Sequence, residues 1–239
     1  MTVARGGSRR DRVRAATVDE IKRTALELMR EQGTTNIRFA DIARAMGMTP
    51  PALYRYFADR DALLTQLIVD GYNELGAYVA AARDAVPADD LPGRLLASAQ
   101  AYRRWAKQEP QRFALLFGLP VPGYAAPEEG PTSEAARGAM RQLSDQFLAA
   151  KERGVLRPPL LRSVDKPVVL CATGGPAGDG AGLSPETFQA MTHAWAALHG
   201  FVCLEAYGHF DWLDPDARDA LFLAQVRLVA QFSGLPVPD

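Results

Sequence analysis

With 239 residues, 48% of them hydrophobic, and a formal net charge of −1, the chain can bury a substantial core and has room for one small and one larger domain. No apolar run is long enough to span a bilayer, and residues 1–14 are basic and polar rather than a secretory signal. Cys171 and Cys203 make neither a disulfide framework nor a zinc-finger spacing, so a cytoplasmic protein without a membrane partner is expected.

The chain opens on Arg5, Arg9, Arg10, Arg12 and Arg14, and residues 1–15 are expected to form a flexible basic arm. Val18, Ile21, Ala25, Leu28 and Met29 then follow a helical period, which predicts an amphipathic helix over about 16–32 that stops at Gly33. Phe39, Ile42, Ala43 and Met46 share the face of a second helix, with Asp41 in its first turn, where a negative charge is favoured. Gly47 supplies the turn, Thr49 stands as an N-cap, and Pro50 and Pro51 occupy the first positions of a third, short helix. Leu53 and Phe57 point inward, so Pro51 and Arg55 project outward, flanked by Ala52, Tyr54 and Tyr56. An outward face of one arginine and two tyrosines suits a phosphate backbone with base edges beyond it. Asp59 caps a long fourth helix over about 60–83, whose apolar stripe is Leu63, Leu64, Leu67, Ile68, Tyr72 and Leu75.

The near-neutral total conceals an asymmetry. Residues 1–60 hold 12 Lys/Arg against 7 Asp/Glu, a net of +5, and the remainder holds 15 against 21, a net of −6. A basic face is thus concentrated on the helix-turn-helix region. The N-terminal arginines can follow a DNA backbone or enter the minor groove, or be an ordinary solvated terminus.

The run from Ala25 to Leu64, ALELMREQGTTNIRFADIARAMGMTPPALYRYFADRDALL, resembles the N-terminal domain of the TetR family of transcriptional regulators. The resemblance rests on Gly33, Asp41-Ile-Ala, Gly47-Met-Thr, Ala52-Leu-Tyr-x-Tyr-Phe and Asp61-Ala-Leu-Leu, and covers roughly residues 16–66. It implies double-stranded DNA with a palindromic operator as partner. Residues 16–60 would be the helix-turn-helix domain, with DNA contacts from Arg38, Thr49, Pro50, Pro51, Ala52, Tyr54, Arg55, Tyr56 and Arg60. Arg38 departs from the pattern, standing where the family often has a phosphate-touching Ser or Thr cap; its guanidinium can reach a phosphate in a different way.

Beyond residue 60 the pattern stays helical. Leu91 to about Lys107, Pro110 to Phe117, and about 132–153 read as helices; the Pro- and Gly-rich residues 118–131 read as a loop. Residues 154–183 read as a long irregular stretch, within which Val168-Val-Leu-Cys171 is either a short helix or a strand. Ser184-Pro-Glu and Asp214-Pro-Asp open two final helices. The fold class expected is all-α, with about nine helices: an N-terminal three-helix head and a C-terminal bundle over residues 61–239. The last two helices carry enough apolar surface either to pair with a second chain or to close the monomer core; the family's usual two-fold homodimer favours pairing.

Trp195-x-x-x-His199-Gly200 with Leu204-Glu205, together with Ala101-Tyr102 to Pro110 and Phe113-x-Leu-Leu-Phe117, resembles the "WHG" class of TetR-family C-terminal domains. The family plan implies an unknown small-molecule effector in the bundle, apolar or aromatic and weakly polar. Its candidate contacts are Tyr72, Trp105, Phe113, Phe117, Phe147, Trp195 and His199, each of which, taken singly, reads more readily as ordinary core. His199 and Cys203 share a face but lack a third ligand, so neither a metal nor a cofactor is expected. No catalytic residue is expected, because no nucleophile elbow, phosphate loop or carboxylate–histidine grouping can be assembled. The functional expectation is a ligand-responsive DNA-binding repressor; the alternative is a helical carrier or enzyme fused to a helix-turn-helix.

Overall fold

The structure, a computed structural model, describes residues 8–126, 129–174 and 182–239. Among the described residues it is all helical: α1 (Arg9–Gln32), α2 (Phe39–Ala45), α3 (Pro50–Leu53), α4 (Arg60–Asp84), α5 (Leu91–Gln108), α6 (Pro110–Phe117), α7 (Pro131–Glu152), α8 (Lys166–Gly174), α9 (Pro185–Ala206) and α10 (Pro215–Ser233). None of these helices is long and apolar enough to cross a membrane. The chain divides into two compact units, residues 1–71 with 110–133, and residues 72–109 with 134–239.

In the first unit, Ile21, Ala25 and Met29 form the buried stripe of α1, and Phe39, Ile42 and Ala43 that of α2. α2 packs against α3, and α1 against both α2 and α6. Gly33 and Gly47 both adopt left-handed φ, 62° and 64°, which ends α1 and turns the chain from α2 to α3. The Asp59 carboxylate accepts from the Ala62 amide at 2.7 Å and caps α4, as its position predicts. α1 begins at Arg9 rather than near residue 16, so residues 9–15 are helical and not a loose arm. The cause is a reciprocal capping box: Asp11 N–H donates to Ser8 Oγ at 3.2 Å, and Ser8 N–H donates to Asp11 Oδ2 at 3.0 Å. Arg5 lies outside the described residues.

In the second unit α9 packs against α10, α5 and α8. The tenth helix, beyond the nine expected, is α8. Lys166 and Pro167 begin it, and the Asp165 carbonyl accepts from the amides of Val168 and Val169. The apolar run Val168–Cys171 is thus helical, and the irregular stretch is shorter than the Pro and Gly content suggests. Residues 157–160 strap onto the end of α10. The Arg157 amide donates to Gly234 O and the Leu160 amide to Phe232 O, both at 2.8 Å. Gly234 has φ 86°, and a Cβ there would collide with the Arg157 carbonyl, so the close approach requires glycine.

Candidate functional site

The surface of the first unit centres on α3. Leu53 and Phe57 are buried, whereas Thr49, Pro50, Pro51, Tyr54 and Arg55 are exposed and Ala52 and Tyr56 half-buried. Thr49 is the N-cap of α3 by position, yet its side chain makes no capping bond. Tyr54 packs its ring edgewise against Phe39, with centroids 5.3 Å apart, while remaining 56% exposed. Arg38 precedes α2 without capping it; its Nε donates to Asp41 at 3.0 Å, and Arg44 approaches the same carboxylate at 3.4 Å. Both guanidinium groups stay about four-fifths exposed, at 81% and 79%, so a phosphate can reach them.

Arg60 is placed differently from the others. It is turned toward the protein, donating from Nε to Ile37 O at 2.8 Å, from Nη2 to Asn36 Oδ1 at 2.7 Å, and from Nη1 to Pro122 O at 3.3 Å. It braces the α1–α2 turn against the α6–α7 loop, where Tyr124 Oη also meets Thr65 Oγ1 at 3.0 Å. Arg14, read from sequence only as part of the arm, donates from Nη1 to Arg55 O at 2.8 Å and lies over the Tyr56 ring at 5.3 Å.

The seven aromatic and histidine candidates are distributed over both units. Phe113 and Phe117 belong to the first unit, where their rings pair at 5.2 Å. Trp105 and Phe147 are wholly buried in the second, and Trp105 Nε1 donates to Glu74 at 3.2 Å. Tyr72, half-buried in the second unit, has its phenol pKa raised by burial. Trp195 and His199 stack at 5.2 Å with their planes 14° apart. Tyr102 Oη lies 2.6 Å from His199 Nδ1, and Cys203 Sγ 3.3 Å from Nε2. Burial pushes the Tyr102 phenol far up and the His199 imidazole down, so both are neutral near pH 7. The Tyr102 hydroxyl and the neutral imidazole share a hydrogen bond at Nδ1, while Nε2 faces the sulfur. Burial raises the Cys203 thiol as well, so it is not a reactive thiolate. Among the described residues no group of three His, Cys, Asp or Glu is placed to hold a metal ion.

A second polar cluster lies beside α9. The Glu205 carboxylate, with 2% of its side chain exposed, accepts from Arg103 Nε at 2.5 Å, Arg103 Nη2 at 2.6 Å and Lys107 Nζ at 3.1 Å. Arg103 also reaches Asp219 at 2.7 Å and lies over the Phe222 ring at 4.9 Å. Burial alone would raise the Glu205 pKa; the hydrogen bonds and charges of Arg103 and Lys107 outweigh it and hold the carboxyl below its ordinary range.

Residues 15–67 match the family of bacterial regulatory proteins named for tetR, and residues 95–229 match a tetracyclin repressor-like C-terminal domain. The chain belongs to the TetR family. It is a helix-turn-helix, DNA-binding transcriptional regulator, and the proteins it resembles are regulators rather than enzymes. The HTH-type transcriptional regulator Rv1816 of Mycobacterium tuberculosis (strain H37Rv) is 35% identical over 237 residues, covering 94% of this chain and 95% of that one. The crystal structure of the regulatory protein SCO4313 superposes with a TM-score of 0.68 at 29% identity, over 93% of this chain and 98% of that one. The TetR-family regulator PfmR of Thermus thermophilus shares the fold, with a TM-score of 0.56 at 18% identity over 90% and 98% of the two chains.

In this TetR-family regulator, sequence reasoning passed over Arg14, Tyr102 and the Arg103–Glu205 pair as contacts. Arg14 carried a usable signal, since it lies one helical turn before Val18 and continues the stripe of Ile21 and Ala25. The Arg103–Glu205 contact joins residues 102 positions apart, and no local spacing encodes it.

Proposed function

We propose that this TetR-family regulator is a ligand-responsive repressor that binds a palindromic operator as a homodimer and releases it when a small molecule enters the C-terminal bundle. The observation that carries the DNA half is the outward face of α3 and the turn after it, where Pro51, Tyr54 and Arg55 are exposed above a core closed by Leu53 and Phe57. Arg38, Thr49, Pro50, Pro51, Ala52, Tyr54, Arg55 and Tyr56 are the proposed DNA contacts, with Arg60 as a brace beneath them. Their surroundings are basic, as the net of +5 over residues 1–60 requires of a phosphate-facing surface.

Pairing of two copies is supported by an open apolar groove of about 670 Å³ on the second unit, lined by Leu160, Leu161, Ala196, Ala197, Leu228 and Phe232. Leu160, Leu161 and Leu228 of this lining are exposed, as they would be on a face that a second copy covers. For the effector, Tyr72, Trp195 and His199 are the proposed contacts, because each is only half-buried in the second unit. Trp105 and Phe147 are assigned to the core of that unit and Phe113 to that of the first, where Phe117 is half-buried beside it. Neutral aromatic and imidazole groups favour an apolar or aromatic, weakly polar molecule. A cytoplasmic site of action belongs to the same proposal, since the proposed DNA partner is there.

The test is a gel shift at low salt with the DNA upstream of the protein's own gene, repeated with added small aromatic compounds. Retarded DNA that a compound releases supports the reading. Absence of a shift with any genomic fragment supports a carrier instead.

A further inference from the structure

We infer that Arg14 is a positioning residue for sequence reading: it holds the backbone from which Arg55 reaches DNA, and it is not primarily a phosphate contact. α3 is short, ending at Leu53, and the chain turns through residues 54–56 before Phe57 enters the core. The carbonyls at such an end have no partner within the helix and need one from elsewhere. Leu53 O accepts from the Tyr56 and Phe57 amides, at 2.9 and 3.1 Å. Arg55 O receives its hydrogen bond from Arg14 Nη1 at 2.8 Å, across 41 residues of chain. The same guanidinium covers the Tyr56 ring at 5.3 Å, a distance at which cation and π face attract. One side chain therefore grips the residues on both sides of the peptide that links Arg55 to Tyr56.

The geometry of α1 makes this possible. Had residues 9–15 been a loose arm, ordering Arg14 would cost the entropy of the whole segment. The capping box at Ser8 and Asp11 extends α1 instead, and Arg14 stands one turn before Val18 on a stripe that leads to buried Ile21. Its side chain is delivered to α3 by a helix already anchored in the head. Arg55 keeps its own guanidinium exposed, and the direction in which it projects depends on the backbone Arg14 holds. A base contact tolerates small misplacement poorly, whereas a phosphate contact tolerates it well.

The test uses the full-length protein with two duplexes: one enriched from a random pool by the wild-type protein, and a scrambled duplex of equal length. Binding of each is titrated across a salt series, with thermal melting as a check on folding. Arg14→Gln is expected to lower affinity for the enriched duplex about tenfold, with the scrambled duplex bound as before and the salt slope on both unchanged. Arg14→Lys, which keeps a donor and a cation, should recover most of the preference and remains informative if Arg14→Gln melts early. Equal loss on both duplexes with a salt slope reduced by about one would make Arg14 a phosphate contact and overturn the inference. Unaltered preference in both variants overturns it as well.

Discussion

Arg55 and His199 show how burial assigns different work to polar side chains of one molecule. Arg55 is exposed in the turn that follows α3, so its guanidinium keeps its hydration until DNA displaces it. Replacing it with alanine should cost about 1–3 kcal/mol on the selected duplex and relax preference at one base position, read from binding to single-base variants. Equal loss on every variant would reassign it to phosphate. His199 and Glu205 instead tie stability to pH. The native His199 pKa lies below the ordinary 6.5, so the unfolded chain binds more protons; stability is complete above that value and falls as pH drops through it. Glu205, held below its ordinary 4.5, contributes fully above that pH and loses its contribution as pH falls through its lowered native value. Urea midpoints should therefore decline in two steps, and His199→Gln should remove the upper one; an upper step that persists in that variant contradicts this assignment. Glu205→Ala leaves Arg103 with Asp219 alone and Lys107 without its carboxylate, and should cost about 3 kcal/mol in the same urea assay.

At the scale of elements, α2 and α3 stand where the apolar period, Gly47 and the Pro50-Pro51 start predict them. Gly47 has open space where a Cβ would sit, so alanine there is strained by backbone alone. Gly47→Ala should cost about 1–2 kcal/mol in urea unfolding, and Gly47→Asn clearly less; equal costs would show that the left-handed φ is not what matters. The start of α1 was less legible because Arg9–Arg14 offers no apolar stripe to detect; only the Ser8–Asp11 capping pattern marks it. α8 was ambiguous for the opposite reason: Val168-Val-Leu is apolar on every side and rich in β-branched residues, which suits either state. Its Lys166-Pro167 start and the Asp165 carbonyl decide for helix. The grouping of Phe113 and Phe117 with the head rests on packing of α6 against α1, a long-range contact that local spacing does not encode.

For the whole molecule, the proposed function requires two recognition helices presented at a fixed separation and a ligand that changes it. α4 is the proposed lever, since it runs unbroken from Arg60 to Asp84 while its residues divide between the two compact units after Gly71. A ligand that binds both arrangements equally shifts nothing, so the effector must prefer one head separation. Crystal structures with and without an inducer should differ in the distance between the paired α3 helices, and an unchanged distance would remove α4 from the mechanism. The head's basic balance and the acidic balance of the remainder point the DNA toward one end of the chain. The most direct test of the account is selection of duplexes from a random pool by the purified protein, followed by sequencing. Two half-sites in inverted repeat are predicted, with centres roughly 34–36 Å or a multiple apart along the helix. A single unrepeated site, or no enrichment at all, would contradict reading of an operator by a symmetric pair of α3 helices.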